Sequence, residues 1–251
     1  MAMRRLPILV LGLLIVTAAA FLAASTVTAS LPPSMDSYGW QSIPHSNNGG
    51  SNNFQIMSAN FNPKNMRGWV AFNISSIPSG ALVLRAQLRL RIWYKTTNDP
   101  AHKVGDSTGR IYGVYRITQP WQEYGVTWAN QPNYTEEQHA TAPVPAGQTN
   151  WSGPPMYMYW DVTDIVRDWE SGISNYGFMV RDTQENSPIL YSTQFFTHNQ
   201  VPDQTYYPRL IVTYISAQSL LWLGGILIME GLIITILLRR RRNRSLSPSK
   251  K

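Results

Sequence analysis

The chain has 251 residues, no cysteine and a formal net charge of +7, with charged side chains at only 14% and aromatics at 12%. The missing cysteines exclude a disulfide scaffold, thiolate metal sites and cysteine nucleophiles, and the aromatic content argues against a disordered chain. The charge argues against a nucleic-acid partner once it is mapped: residues 30–217 hold 12 basic and 13 acidic side chains, a net of −1, so the excess sits in the two hydrophobic ends, whereas nucleic-acid binding needs a basic domain face.

In chain order, Arg4 and Arg5 precede an uncharged apolar run of 19 residues, Leu6 to Ala24, and Val27-Thr28-Ala29 has the small-x-small form of a signal-peptidase site. Residues 1–29 therefore read as a signal peptide or, uncleaved, a signal anchor that would add a second span. Strand candidates follow at Phe54 to Ala59 and Trp69 to Ile74, and then at Ala81 to Tyr94, which alternates for fourteen residues. There Leu82, Leu84, Ala86, Leu88, Leu90, Ile92 and Tyr94 share one face, and Arg85, Gln87, Arg89, Arg91 and Trp93 the other. Period two predicts a strand with one buried and one exposed face. Arg110 to Ile117 repeats the pattern, with Ile111, Tyr115 and Ile117 opposed to Arg110, Tyr112, Val114 and Arg116.

Asn130 to Pro155 reads as a long exposed loop with five prolines. Met156 to Val162 is the next strand. A short helix follows, with Thr163 as its cap, Ile165, Val166 and Trp169 on one face and Gly172 at its end. Strands at Tyr176 to Arg181, Ile189 to Thr193 and Arg209 to Ile215 complete a domain spanning 30–217. This many short strands with one helix predicts an all-β fold, a jelly-roll β-sandwich. Residues 218–238 form a 21-residue apolar stretch with a single ionisable group, Glu230, and Arg239 to Arg242 follow at once. That is a transmembrane helix with a basic cytoplasmic tail, 239–251, which places the sandwich outside the cell. Gly224, Gly225 and Gly231 would permit close helix contact, and Glu230 reads either as a neutral carboxyl tolerated in an apolar helix or as the mark of a membrane-protein partner or self-association. Asn73, Asn133 and Asn150 lie in glycosylation sequons.

Four segments carry a family resemblance. Arg67 to Leu90 has the form R-x-W-V-A-F-N-I-S-S-I-P-S-G-A-x-V-x-x-A-x-L-x-L; Trp121 to Pro132 reads W-Q-E-Y-G-V-T-W-A-N-Q-P; Trp160 to Gly177 reads W-D-V-T-D-I-V-R-D-W-E-S-G-I-S-N-Y-G; Tyr191-Ser192 and Pro208 to Tyr214 close the series. Together they resemble the DNRLRE domain, classed with carbohydrate-binding module family 96, over about residues 35–215. The six-letter string that names that family is absent here. The resemblance implies a β-sandwich found on secreted and surface proteins of bacteria and archaea, some of which bind acidic polysaccharide such as alginate. Trp121, Glu123, Trp128, Trp160 and Trp169 read as structural within these motifs.

Catalytic signatures are missing: there is no G-x-S-x-G, H-E-x-x-H, phosphate loop or EF-hand. His45, His102, His139 and His198 fall in polar, loop-like sequence, where exposed histidine is the default. Asp164 and Asp168 are the carboxylate pair to expect on any surface helix. Asp36, Asp161, Asp164 or Asp182 could join backbone oxygens around a structural calcium; no other cofactor is expected. The feature that does suggest a ligand is the outward face of two strands, Arg85, Arg89, Arg91 and Trp93 with Arg110, Tyr112 and Arg116. Guanidinium forks match carboxylates and sulfates, and aromatic faces stack on sugar rings; the alternative is a solvated strand face whose arginines pair with nearby acids and discourage edge aggregation. The sequence thus predicts a non-catalytic, membrane-anchored surface protein that contacts glycan or envelope. The alternative is a structural or accessory subunit of a membrane complex.

Overall fold

A computed structural model of the chain describes residues 21, 25–97, 109–137, 139–146, 155–199 and 204–245. The expected signal or anchor segment (apart from its end), His102, Asn150 and the tail beyond 245 lie outside the described residues. Eleven strands form among them: β1 (Thr26–Leu31), β2 (Pro33–Trp40), β3 (Asn53–Ser58), β4 (Met66–Phe72), β5 (Leu82–Thr97), β6 (Ile111–Arg116), β7 (Ala140–Pro143), β8 (Met156–Asp161), β9 (Phe178–Asp182), β10 (Tyr191–Phe196) and β11 (Arg209–Ile215). Two α-helices accompany them, α1 (Thr163–Glu170) and α2 (Ala217–Ser245), with a 3₁₀ turn at Gln204–Tyr206. The strands run in the order β1-β11-β5-β10-β3-β4-β9-β6-β7, with β2 also on β4 and β8 also on β5. The result is a curled antiparallel sheet folded into a β-sandwich.

Two compact units make up the chain: residues 28–77 with 83–213, and a second unit that includes everything from 214 onward. In the first unit, the aromatic side chains explain the closure. Phe195 on β10 meets Phe54 of β3 at 5.3 Å and both Tyr112 of β6 and Trp160 of β8 at 6.5 Å, ring centre to ring centre. The Trp160 indole N–H donates to the Tyr112 carbonyl at 2.8 Å, so its one polar group is satisfied inside the core. A second cluster packs Trp69, Tyr115, Ile117, Val126 and Met179, with Trp121 and Tyr134 against it. The motif tryptophans Trp69, Trp160 and Trp169 are thus core residues.

Gly177, at the entry to β9, has φ +87°, and a Cβ there would lie 2.3 Å from the Val70 carbonyl oxygen. Only glycine allows the chain to pass β4 so closely. Helix α1 docks through Ile165, Val166 and Trp169, the face read from its spacing. Thr163 is not its cap: the N-cap is Val162, and Thr163 instead donates from its backbone N–H to Asp161 Oδ1 at 3.0 Å. Its hydroxyl accepts the Ala86 N–H at 2.9 Å, tying the helix start to β5. Gly172 does follow the last turn, at φ +106°.

Other differences are local. β2 and β7 were not expected, and β7 lies inside the segment read as a loop. β1 begins at Thr26, within the segment assigned to 1–29. In β5 the expected phase fails at both ends. Leu82 and Leu84 are exposed while Val83 is buried, and the pairing with β10 shifts between Gln194 and Phe195, which puts Tyr94 outward and Lys95 inward.

The second unit contains α2. Within it Ala217–Arg239, 23 residues, is long and apolar enough to cross a membrane. At 1.5 Å per residue this is about 35 Å, against roughly 30 Å of hydrocarbon.

Candidate functional site

The outer face of β5 meets that of β8. Their antiparallel register sets Arg89 opposite Tyr159, Arg91 opposite Tyr157 and Gln87 opposite Asp161. Facing residues on one side of a sheet are in contact range. Arg89 lies over the Tyr157 ring at 5.0 Å, Tyr157 lies 6.1 Å from Tyr159, and Tyr159 is 47% exposed. Arg91 is buried between Tyr206, 3.7 Å from the ring centre, and Phe196 at 5.2 Å. Trp93 stacks on the same Phe196 at 5.5 Å, nearly parallel.

β11 flanks β5 and brings in Arg209. Burial first, and the Arg89 charge second, hold the Arg209 guanidinium below its usual pKa. Arg209 donates to the Gln204 carbonyl at 2.9 Å. No carboxylate lies within ion-pair distance of Arg89, Arg91 or Arg209 among the described residues. The face is therefore three arginines, Arg89, Arg91 and Arg209, on an aromatic bed. Arg209, Tyr157 and Tyr159 were missed in the sequence because the partner strands of β5 were unknown.

The second half of the expected face is corrected. β5 and β6 are separated by β10, β3, β4 and β9 along the sheet, so their faces do not merge. Tyr112 is fully buried, its hydroxyl bonded to Thr193 at 2.9 Å. Arg110 is buried and forms a bidentate pair with Asp182, with both N···O distances 2.8 Å. Arg116 pairs with Asp168. Arg85 is exposed but lies in a different place, a groove of 660 Å³ with Arg167, Asp161, Asp164 and His139. Asn73 and Asn133 are exposed, and Glu230 lies in the apolar stretch of α2.

One cluster was not foreseen as a unit. Asp36 from β2, Glu123 from the turn after β6 and His198 just beyond β10 bring one ligand atom each within 4.8 Å of one another. His198 Nδ1 stands 3.1 Å from Asp36 Oδ2, and its Nε2 stands 3.3 Å from Glu123 Oε1. Its backbone N–H donates to Asp36 Oδ2 at 2.8 Å. Burial raises the pKa of both carboxyls, with His198 opposing; the Asp36 contact raises that of His198, with burial opposing. His198 is accordingly half-buried rather than exposed. Of the aspartates expected near calcium, Asp161 accepts from Thr163, Asp164 pairs with Arg167, Asp182 holds Arg110, and only Asp36 enters a cluster of ligating groups.

The model of carbohydrate-binding module family 96 matches residues 27–212, most of the chain and nearly all of the sandwich. The chain belongs to carbohydrate-binding module family 96. No curated protein matches it. Membership in family 96 makes the sandwich a carbohydrate-binding-type domain and directs attention to its exposed aromatic face.

Proposed function

We propose that this family 96 protein is a non-catalytic, membrane-anchored surface protein whose sandwich binds an acidic polysaccharide across β5, β8 and β11. Arg89 and Arg209 supply the charged contacts, Tyr157 and Tyr159 the stacking surface, and Arg91 with Trp93 support the aromatic bed. The observation that carries the reading is Arg89 over the Tyr157 ring beside the exposed Tyr159, with no carboxylate at ion-pair distance among the described residues. A cation on an exposed aromatic surface is suited to an anionic sugar. A uronate or sulfate offers the geometry that guanidinium forks bind.

The test is binding of alginate, polygalacturonate and a neutral glucan by the full chain in detergent. The polyuronates are expected to bind and the neutral glucan not. A charge-assisted hydrogen bond is worth about 1.5–3 kcal/mol, so Arg89→Ala and Arg209→Ala should each weaken polyuronate binding by roughly tenfold or more. Unchanged affinity in both variants, or equal binding of the neutral glucan, would sink the proposal.

A second reading, an accessory subunit of a membrane complex, draws on Glu230 in the apolar helix. Ionisable side chains within a membrane span face the interior of a helix bundle rather than lipid. Co-purification of a fixed partner in detergent, lost on Glu230→Leu, is its signature.

A further inference from the structure

The Asp36, Glu123 and His198 cluster is built by β2 and the loops after β6 and β10. Its hydrogen bonding is incomplete. Asp36 is fully buried, and its Oδ1 has no hydrogen-bond partner. His198 Nδ1, although 3.1 Å from Asp36 Oδ2, makes no hydrogen bond either. A buried carboxylate oxygen left without a donor is a costly arrangement that some other positive group must offset.

A further oxygen borders the cluster. Asn199 Nδ2 donates to the Gly49 carbonyl at 2.7 Å and reaches Glu123 Oε1 at 3.5 Å, so those two oxygens flank one amide group. Gly49 itself is pressed on Glu123: a Cβ there would lie 2.4 Å from the Glu123 carbonyl oxygen. Two carboxylates and an imidazole from three chain segments therefore converge, with the Gly49 carbonyl on the far side of the Asn199 amide that reaches Glu123.

We propose that Asp36, Glu123 and His198 hold a divalent cation of the Ca²⁺ or Mn²⁺ kind. Two carboxylates neutralise a dication, and an oxygen majority selects hard ions. Such an ion clamps β2 to the ends of the loops after β6 and β10. Because those segments converge only in the folded state, its binding stabilises the fold by mass action.

The test uses the full chain in detergent, stripped with EDTA and then titrated with Ca²⁺, Mn²⁺, Mg²⁺ or Zn²⁺ while thermal unfolding is followed. Ca²⁺ or Mn²⁺ is expected to raise Tm in a concentration-dependent way, saturating at one ion per chain. Glu123→Gln keeps the side-chain shape and should lose that response. Asp36→Asn serves less well because its site is fully buried and the variant can fail to fold. His198→Gln, at a partly exposed position, should remove the imidazole nitrogen coupling from the spectrum of bound Mn²⁺. A Tm indifferent to chelation and to all four ions would overturn the proposal, and so would a response to Zn²⁺ alone or a wild-type response in Glu123→Gln.

Discussion

Arg89 and Arg110 are the same side chain at neighbouring points of one sequence pattern, and their surroundings give them opposite roles. Arg110 is enclosed, stacked 4.6 Å from the Tyr191 ring centre and paired with Asp182. Removing one partner of a buried pair leaves an uncompensated charge and costs about 3–5 kcal/mol. Arg110→Ala should show that loss in urea unfolding at neutral pH, while the folded fraction keeps its polyuronate affinity. The deficit also has a pH dependence. Burial already raises the Asp182 pKa, with the Arg110 hydrogen bond opposing. Without Arg110 the folded-state value rises further above the unfolded one, so the variant gains stability relative to wild type as pH falls through the carboxylate range. A deficit that widens in acid would contradict this account. Tyr112 gives the alkaline counterpart. Burial first, then the Asp182 charge, raises its phenol pKa well above the usual tyrosine range. The stability tied to its neutral form is complete below the unfolded value, about 10, and is lost as pH rises beyond it. In a spectroscopic titration its tyrosinate signal should appear only with unfolding, and Tyr112→Phe should remove that step at a cost of about 1 kcal/mol for the Thr193 hydrogen bond. Neither position was legible in the sequence. Alternation around Ile111–Arg116 assigned Tyr112 to the outside, but β6 is flanked by β9 and β7 and packed against Trp160, which buries residues of both parities.

At the scale of elements, what a segment shows locally sorts the readable from the unreadable. β5 was visible because Ala86, Leu88, Leu90 and Ile92 bury one face against a row of long polar side chains. β2 was not, because its sequence PSMDSYGW has no alternation of its own. It exists because β4 offers a ladder from Met35 opposite Ala71 to Trp40 opposite Met66, with Pro33 opposite Phe72 beyond a register shift. The same limit hid the cation cluster, whose members come from β2 and two loops and carry no shared spacing. Helix α1 was visible because three apolar residues at helical spacing announce a docked face. Trp169 is the anchor of that face, 4.9 Å from Phe178 of β9. Truncating a buried tryptophan costs about 3–5 kcal/mol. Trp169→Ala should lower the urea midpoint accordingly, and because β5, β8 and β11 bear the glycan face, the folded fraction should bind polyuronate as before. Loss of binding without loss of stability would place the ligand near α1 instead, in the groove beside Arg85.

At the scale of the whole molecule the charge distribution bears on orientation. The chain ends carry a net +8 and the region between them −1, so the domain has little net field to draw a polyanion and recognition rests on a few local arginines. A stretch able to cross a bilayer, Ala217–Arg239, leads directly into Arg240, Arg241 and Arg242. Clusters of this kind remain on the cytoplasmic side. The sandwich is then expected outside, where a polysaccharide can reach it. Because the chain has no cysteine, single introduced thiols report orientation without background. Tyr124 is 69% exposed in the loop after β6, and Ser247 follows the arginines in sequence. In intact cells a membrane-impermeant maleimide should label Tyr124→Cys and spare Ser247→Cys until the membrane is permeabilised. The reverse pattern would put the glycan face inside the cell and remove the polysaccharide reading with it. Labelling of both before permeabilisation would mean that the arginine tail does not hold the helix across the bilayer, leaving the sandwich to act as a free binding module.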